Sequence, residues 1–162
     1  MSAPDFTAIL RTLGAHGVEF ILVGGVSAAL RGVPVTTFDV DVVHATTGEN
    51  VVRLLEALEE LHAIYRAQPE RELKPHASHL GGPGHHLLLT DFGPLDLLGM
   101  VGAARGYADL VEHSDEFDIG GGVMVRVLDL ETLIATKEEA GGEKDKAALP
   151  LLRRTLEEKR RR

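Results

Sequence analysis

The chain contains no cysteine, which excludes disulfides, thiolate metal sites and cysteine nucleophiles. Tryptophan is also absent, and aromatic residues make up only 4% of the sequence. The core must therefore be built from Leu, Val, Ile and Ala, and a stacking platform for single-stranded nucleic acid is not expected. No stretch approaches the ~20 apolar residues of a membrane helix. The opening MSAPDFTAIL has no basic leader ahead of a long apolar run, so no signal peptide is expected. No membrane partner and a cytoplasmic location follow as expectations. Positive charge is in deficit, with a formal net charge of -8, which argues against a broad basic footprint for duplex DNA. The cations that exist gather late, at Arg153, Arg154, Lys159, Arg160, Arg161 and Arg162. The tail 159–162 can serve as a solvated helix end that suits the helix dipole, or as a patch for a phosphate-rich partner.

What is present suffices for one domain spanning 1–162. The chain has 162 residues and is 44% hydrophobic, enough for a sizeable core. Phe6, Ile9, Leu10 and Leu13 have helical spacing, with Gly14 and Gly17 as stops. An apolar run over 19–23 ends in Gly24-Gly25 and reads as a buried strand entering a tight turn. A short helix is predicted over 26–30 and a strand over 37–43. The clearest helix is predicted over 50–65, with Val51, Leu54, Leu55, Leu58 and Leu61 as one stripe. The segment 68–84 reads as a loop or irregular hairpin. Strands over 86–90 and 95–98 form a hairpin about the turn 91–94. A short helix over 107–113 and strands over 116–119 and 123–128 follow. Asp129 is placed to cap a helix through Ala140, and a last helix begins near 143.

The chemistry concentrates at Gly24-Gly25 and at Asp39 and Asp41. Two aspartates two residues apart on a strand leave the same face. At ~4 Å and an effective dielectric of about 20 they repel by roughly 4 kcal/mol. A divalent cation offsets that repulsion, and Mg²⁺ prefers carboxylates together with substrate phosphates. Two such ions can activate a hydroxyl and stabilise a leaving phosphate oxygen. The glycines let backbone N–H groups approach a phosphate closely, and Ser27 in the first helical turn could add a hydroxyl.

The stretch GGVSAALRGVPVTTFDVDVV resembles the signature of the polymerase-β-like nucleotidyltransferase superfamily: a Gly-Gly or Gly-Ser turn, a short helix, then Asp-hydrophobic-Asp. The branch it most resembles is that of small bacterial abortive-infection (AbiEii-like) and toxin–antitoxin nucleotidyltransferases. The resemblance covers about 18–150. It implies an α/β (α+β) fold, a single palm domain with a mixed sheet flanked by helices. It further implies Mg²⁺ or Mn²⁺ held by Asp39, Asp41 and a third carboxylate, best matched by Asp96, with Asp91 as the turn-borne second choice. Gly24, Gly25, Ser27, Thr37 and Lys137 are the implied nucleotide-binding positions. Lys137 is also the implied catalytic cation, and Asp145 orients Lys137 or Lys144. Two places depart from the pattern. Val35 and Gly142 stand where many relatives carry basic residues that meet phosphate.

Eight histidines remain. His76, His79, His85 and His86 crowd one region without matching a defined zinc motif, and either solvate, line an acceptor pocket or bind metal. His44 is expected at the pocket rim, and 81–84 either as a lid or as a plain connection. The expected reaction moves a nucleoside monophosphate from an NTP to a hydroxyl of RNA (a tRNA end), of a protein or of a small molecule, releasing pyrophosphate. A catalytically weak or inactive nucleotide-binding module acting in a toxin–antitoxin pair is the alternative. A partner protein or a second copy of the chain could complete the acceptor surface.

Overall fold

The computed structural model describes residues 3–162. Its first helix, α1 (Phe6–Ala15), is capped by Asp5, whose side chain accepts from the Ala8 N–H at 3.0 Å. It buries Ile9, Leu10 and Leu13. Gly17, at φ +72°, turns the chain into β1 (Phe20–Val23). Helix α2 (Gly24–Leu30) starts directly from that strand, two residues earlier than the sequence suggests. Strand β2 (Val40–His44) follows. It begins later than the predicted 37–43 because its antiparallel partner β1 ends at the pair Val23–Asp41, leaving 37–39 without a neighbour on that side.

Helix α3 (Gly48–Glu60), capped by Thr47, buries Val51, Leu54, Ala57 and Leu58. The predicted helix over 50–65 overruns its end. His62 at φ +54° reverses the chain, and Ile64–Tyr65 form an edge strand, β3. The helical stripe reached Leu61 and so hid a β-branched and aromatic pair that belongs to the sheet. The segment 68–84 is mostly irregular, as expected, with a 3₁₀ turn at Pro69–Arg71 and a short helix α4 (Ala77–Leu80). The hairpin is β4 (His85–Thr90) with β5 (Gly93–Leu98). Then come α5 (Tyr107–Leu110), a hairpin of β6 (Ser114–Asp118) and β7 (Met124–Leu128), α6 (Leu130–Ala140) and α7 (Glu143–Arg160).

The seven strands form one mixed sheet in the order β3-β4-β5-β2-β1-β7-β6. β2 runs parallel to β5, and β1 parallel to β7, while the remaining pairs are antiparallel. Side chains alternate across it. Leu22, Val40, Val42, Leu88, Leu95 and Leu97 join α1 and α3 in one core. Ile21, Val23, Val43 and Leu128 join α2, α6 and α7 in a second core on the other face. Each fully buried Leu or Ile contributes about 1.5–3 kcal/mol relative to exposure. Among the described residues no helix is long and apolar enough to cross a membrane.

One polar group ties the sheet to α3. Asn50 is fully buried. Its Oδ1 accepts from the Glu19 N–H at 2.7 Å, and its Nδ2 donates to the carbonyls of Glu19 and Ala45 at 3.0 and 2.8 Å. It thus clamps the start of β1 to the end of β2. Asn50→Ala leaves the Glu19 N–H and the Ala45 carbonyl without this partner, while the Glu19 carbonyl keeps the Ala45 N–H at 3.1 Å, and it is expected to lower unfolding free energy by about 2–4 kcal/mol, read from urea denaturation. A loss within about 0.5 kcal/mol would show that water takes over these bonds.

Candidate active site

The carboxylates converge because of sheet register. In the parallel pair, Asp41 of β2 lies opposite Asp96 of β5. Val40 and Val42, like Leu95 and Leu97, point into the first core, so both aspartates are turned to the other face. Asp39 sits in the bend just ahead of β2, not on the strand. It nevertheless joins them: one carboxylate oxygen from each of Asp39, Asp41 and Asp96 lies within 4.8 Å of the others. Asp96 is buried, at 8% exposure, and Asp39 and Asp41 are half-buried. The turn residue Asp91 pairs instead with His62 Nδ1 at 2.5 Å.

Three carboxylates this close cannot all carry charge without a cation. The Asp41 carboxyl is pushed up to about 8, first by burial, then by the charge of Asp39 and by hydrogen bonding to and the charge of Asp96, against Lys137. Asp39 is also raised, by burial first and then by Asp96, with Lys144 and Arg66 pulling it back. The donor set is all carboxylate oxygen, which suits a hard divalent ion such as Mg²⁺ or Mn²⁺ rather than a softer metal.

The glycine turn sits against this cluster. Gly24 has φ +69°, and a Cβ there would fall within 2.9 Å of the Asp41 Cβ and Cγ. A Cβ on Gly25 would stand 2.5 Å from the Thr37 methyl. Both glycines are required by close approach, and the first also by its left-handed backbone. Thr37 thus packs on the turn itself. From the helical side, Lys137 of α6 places Nζ 3.5 Å from Asp145 Oδ1 on α7. Gly141 ends α6 at φ +66° and Gly142 opens α7, so the glycines at the expected basic position make the turn between the two helices.

Other expected residues lie elsewhere. Ser27 is fully buried, with its Oγ donating to the Leu128 carbonyl at 3.5 Å. It packs α2 on β7 and offers no hydroxyl at the turn. His44 is also fully buried on the face opposite Asp41, with Nε2 2.8 Å from the Leu80 carbonyl, and is not at a rim. His86 sits between the Tyr65 hydroxyl at 2.9 Å and the His79 carbonyl at 3.2 Å, and burial lowers both His44 and His86. His76 and His79 pack edge to face. The 81–84 loop is no lid over the carboxylates. It lines a cavity of about 390 Å³ with Thr46, Thr47, Met100 and Tyr107, past the C-terminal ends of β2 and β5, on the order of 10 Å along the strands from the aspartates.

Sequence reasoning missed Arg66. It follows β3, its N–H donates to the Leu87 carbonyl at 3.0 Å, and its guanidinium meets Asp96 Oδ1 at 2.9 Å. Reading 64–66 as a strand beside β4 would have placed it on the aspartate face.

The fold is similar to those of two solved structures. A Thermotoga maritima protein (TM1012) provisionally assigned as a nucleotidyltransferase superposes with TM-score 0.57 at 20% identity, covering 94% of this chain and 91% of its own. The lincosamide antibiotic adenylyltransferase LnuA, with lincomycin bound, superposes with TM-score 0.60 at 14% identity, covering 91% of this chain and 94% of its own. No protein-family model and no curated protein sequence matches the chain.

The raised Asp41 links stability to pH. Between its usual 3.8 and about 8, the folded metal-free protein holds a proton that the unfolded chain has released. The stability this confers is full below the unfolded value and is lost as pH rises through about 8. Urea midpoints measured with chelator over roughly pH 5 to 9 should fall for the wild type and fall less for Asp41→Asn. Parallel slopes would refute the assignment.

Proposed function

We propose that the chain is a metal-dependent nucleotidyltransferase that moves a nucleoside monophosphate from an NTP to a hydroxyl acceptor. The observation that carries this reading is the convergence of Asp39, Asp41 and Asp96 beneath the Gly24-Gly25 turn. Asp39, Asp41 and Asp96 would hold Mg²⁺ or Mn²⁺. When bound, the ion neutralises charge on the phosphates and lowers the barrier to displacement. The backbone of Gly24 and Gly25 and the neighbouring Thr37 border the triphosphate, and Lys137, steadied by Asp145, faces charge that develops on it. The acceptor oxygen forms a bond to the α-phosphorus as the bond to the β-phosphate oxygen breaks. Pyrophosphate leaves, and the hydroxyl proton passes to a carboxylate of the triad, for which Asp96 is our assignment.

The acceptor we favour is a small, partly apolar hydroxyl compound. Leu87 is paired directly with Asp96 and is 48% exposed. Leu89 and Ile64 continue the same half-open face. The net charge of -8 disfavours RNA, and LnuA, a structural neighbour, acts on an antibiotic. A second reading, a nucleotide-binding module without turnover, draws on Val35, 37% exposed where a cation was expected. Labelled NTPs with Mg²⁺ and a panel of hydroxyl compounds, RNAs and proteins separate the two. Transfer that drops roughly a hundredfold or more in Asp39→Asn and Asp41→Asn supports the enzyme. Tight Mg-NTP binding by calorimetry, with no pyrophosphate released across the panel, supports the module.

A further inference from the structure

Arg66 reaches Asp96 across an intervening strand. β3 and β5 both pair with β4, yet the Arg66 side chain spans it. Nη1 donates to the Leu88 carbonyl at 3.0 Å and Nη2 to Asp96 Oδ1 at 2.9 Å. Its own N–H is held by the Leu87 carbonyl. The guanidinium is planar with fixed donor directions, so its two bonds, with the main chain of the residue pinned by a third, leave it little freedom. Asp96 is thus gripped between a cation on one side and the other two carboxylates on the opposite side. A carboxylate has two oxygens, and one is engaged by Arg66.

We propose that Arg66 is a positioning residue that withholds one oxygen of Asp96 from a bound divalent ion and fixes the other toward the site. An unrestrained Asp96 would chelate the ion with both oxygens or swing away from the acceptor. A lysine supplies a single point charge and cannot hold Leu88 and Asp96 in the same fork. This inference rests on the transferase reading only for its turnover arm.

The test is a double-mutant cycle on the full chain, with Mn²⁺ alone as probe and its affinity read by electron paramagnetic resonance. Arg66→Met is expected to tighten Mn²⁺ binding severalfold when Asp96 is present. In the Asp96→Asn background it should change affinity by less than about twofold, the coupling a contact predicts. Arg66→Lys should fall between Met and wild type. In turnover, Arg66→Met should lower kcat about tenfold or more and leave KM for the NTP nearly unchanged. An equal change in both backgrounds would reduce Arg66 to a distant charge and overturn the proposal. So would weaker Mn²⁺ binding together with a lower Tm, full rescue by lysine, an unchanged kcat, or no Mn²⁺ binding to the wild type. A wild type that binds Mn²⁺ but transfers nothing would sink the transferase reading and still leave the cycle to decide Arg66.

Discussion

Parallel pairing of β2 with β5 sets Asp41 opposite Asp96, and the repulsion this creates organises everything around it. Like charges on neighbouring strands destabilise a sheet, and here the bend at Asp39 adds a third. Cations are drawn to the cluster from three directions: Lys137 from α6, Lys144 from α7 and Arg66 from beyond β4. Of these three, only Arg66 touches a carboxylate of the triad directly. The lysines stand off, close enough to lower the aspartates, and one of them is held back by Asp145.

The sheet withstands this strain because both faces are anchored near it. α1 and α3 fill the first face with leucine and valine, and α2, α6 and α7 cover β1, β2 and β7 on the second. The half of the second face over β4 and β5 is less covered, which is why Leu87 is exposed there. The carboxylates lie at the border between covered and open sheet. That border leaves Asp96 desolvated while the strip beside it stays accessible.

Much of this was legible in the sequence, for local reasons. Alternation around Asp41 and Asp96, the apolar run into Gly24-Gly25, and the stripe of Leu54 and Leu58 are short-range patterns. What was hidden depends on partners distant in the chain. The β2 boundary is set by where β1 ends. β3 was masked because Leu61 continued the stripe of α3 across the reversal at His62. Ser27 looked available because nothing local reveals that α2 presses it onto β7. Arg66 could not be placed without knowing that β3 joins the sheet. The resemblance to nucleotidyltransferases agrees with the fold of both structural neighbours, and the narrower toxin–antitoxin branch finds no counterpart among them.

The contact between Gly24 and Asp41 has a dynamic corollary. The carboxylate occupies the volume that a Cβ would take, so the first turn of α2 and the second residue of β2 fit together as one solid piece. Fraying of α2 removes the wall against which Asp41 leans, and departure of Asp41 leaves a void under the turn. Amide protons of the turn and of β2 should then open to solvent in a single local event rather than separately. On the proposed reading, a phosphate at the turn or a cation at Asp41 would slow exchange in both.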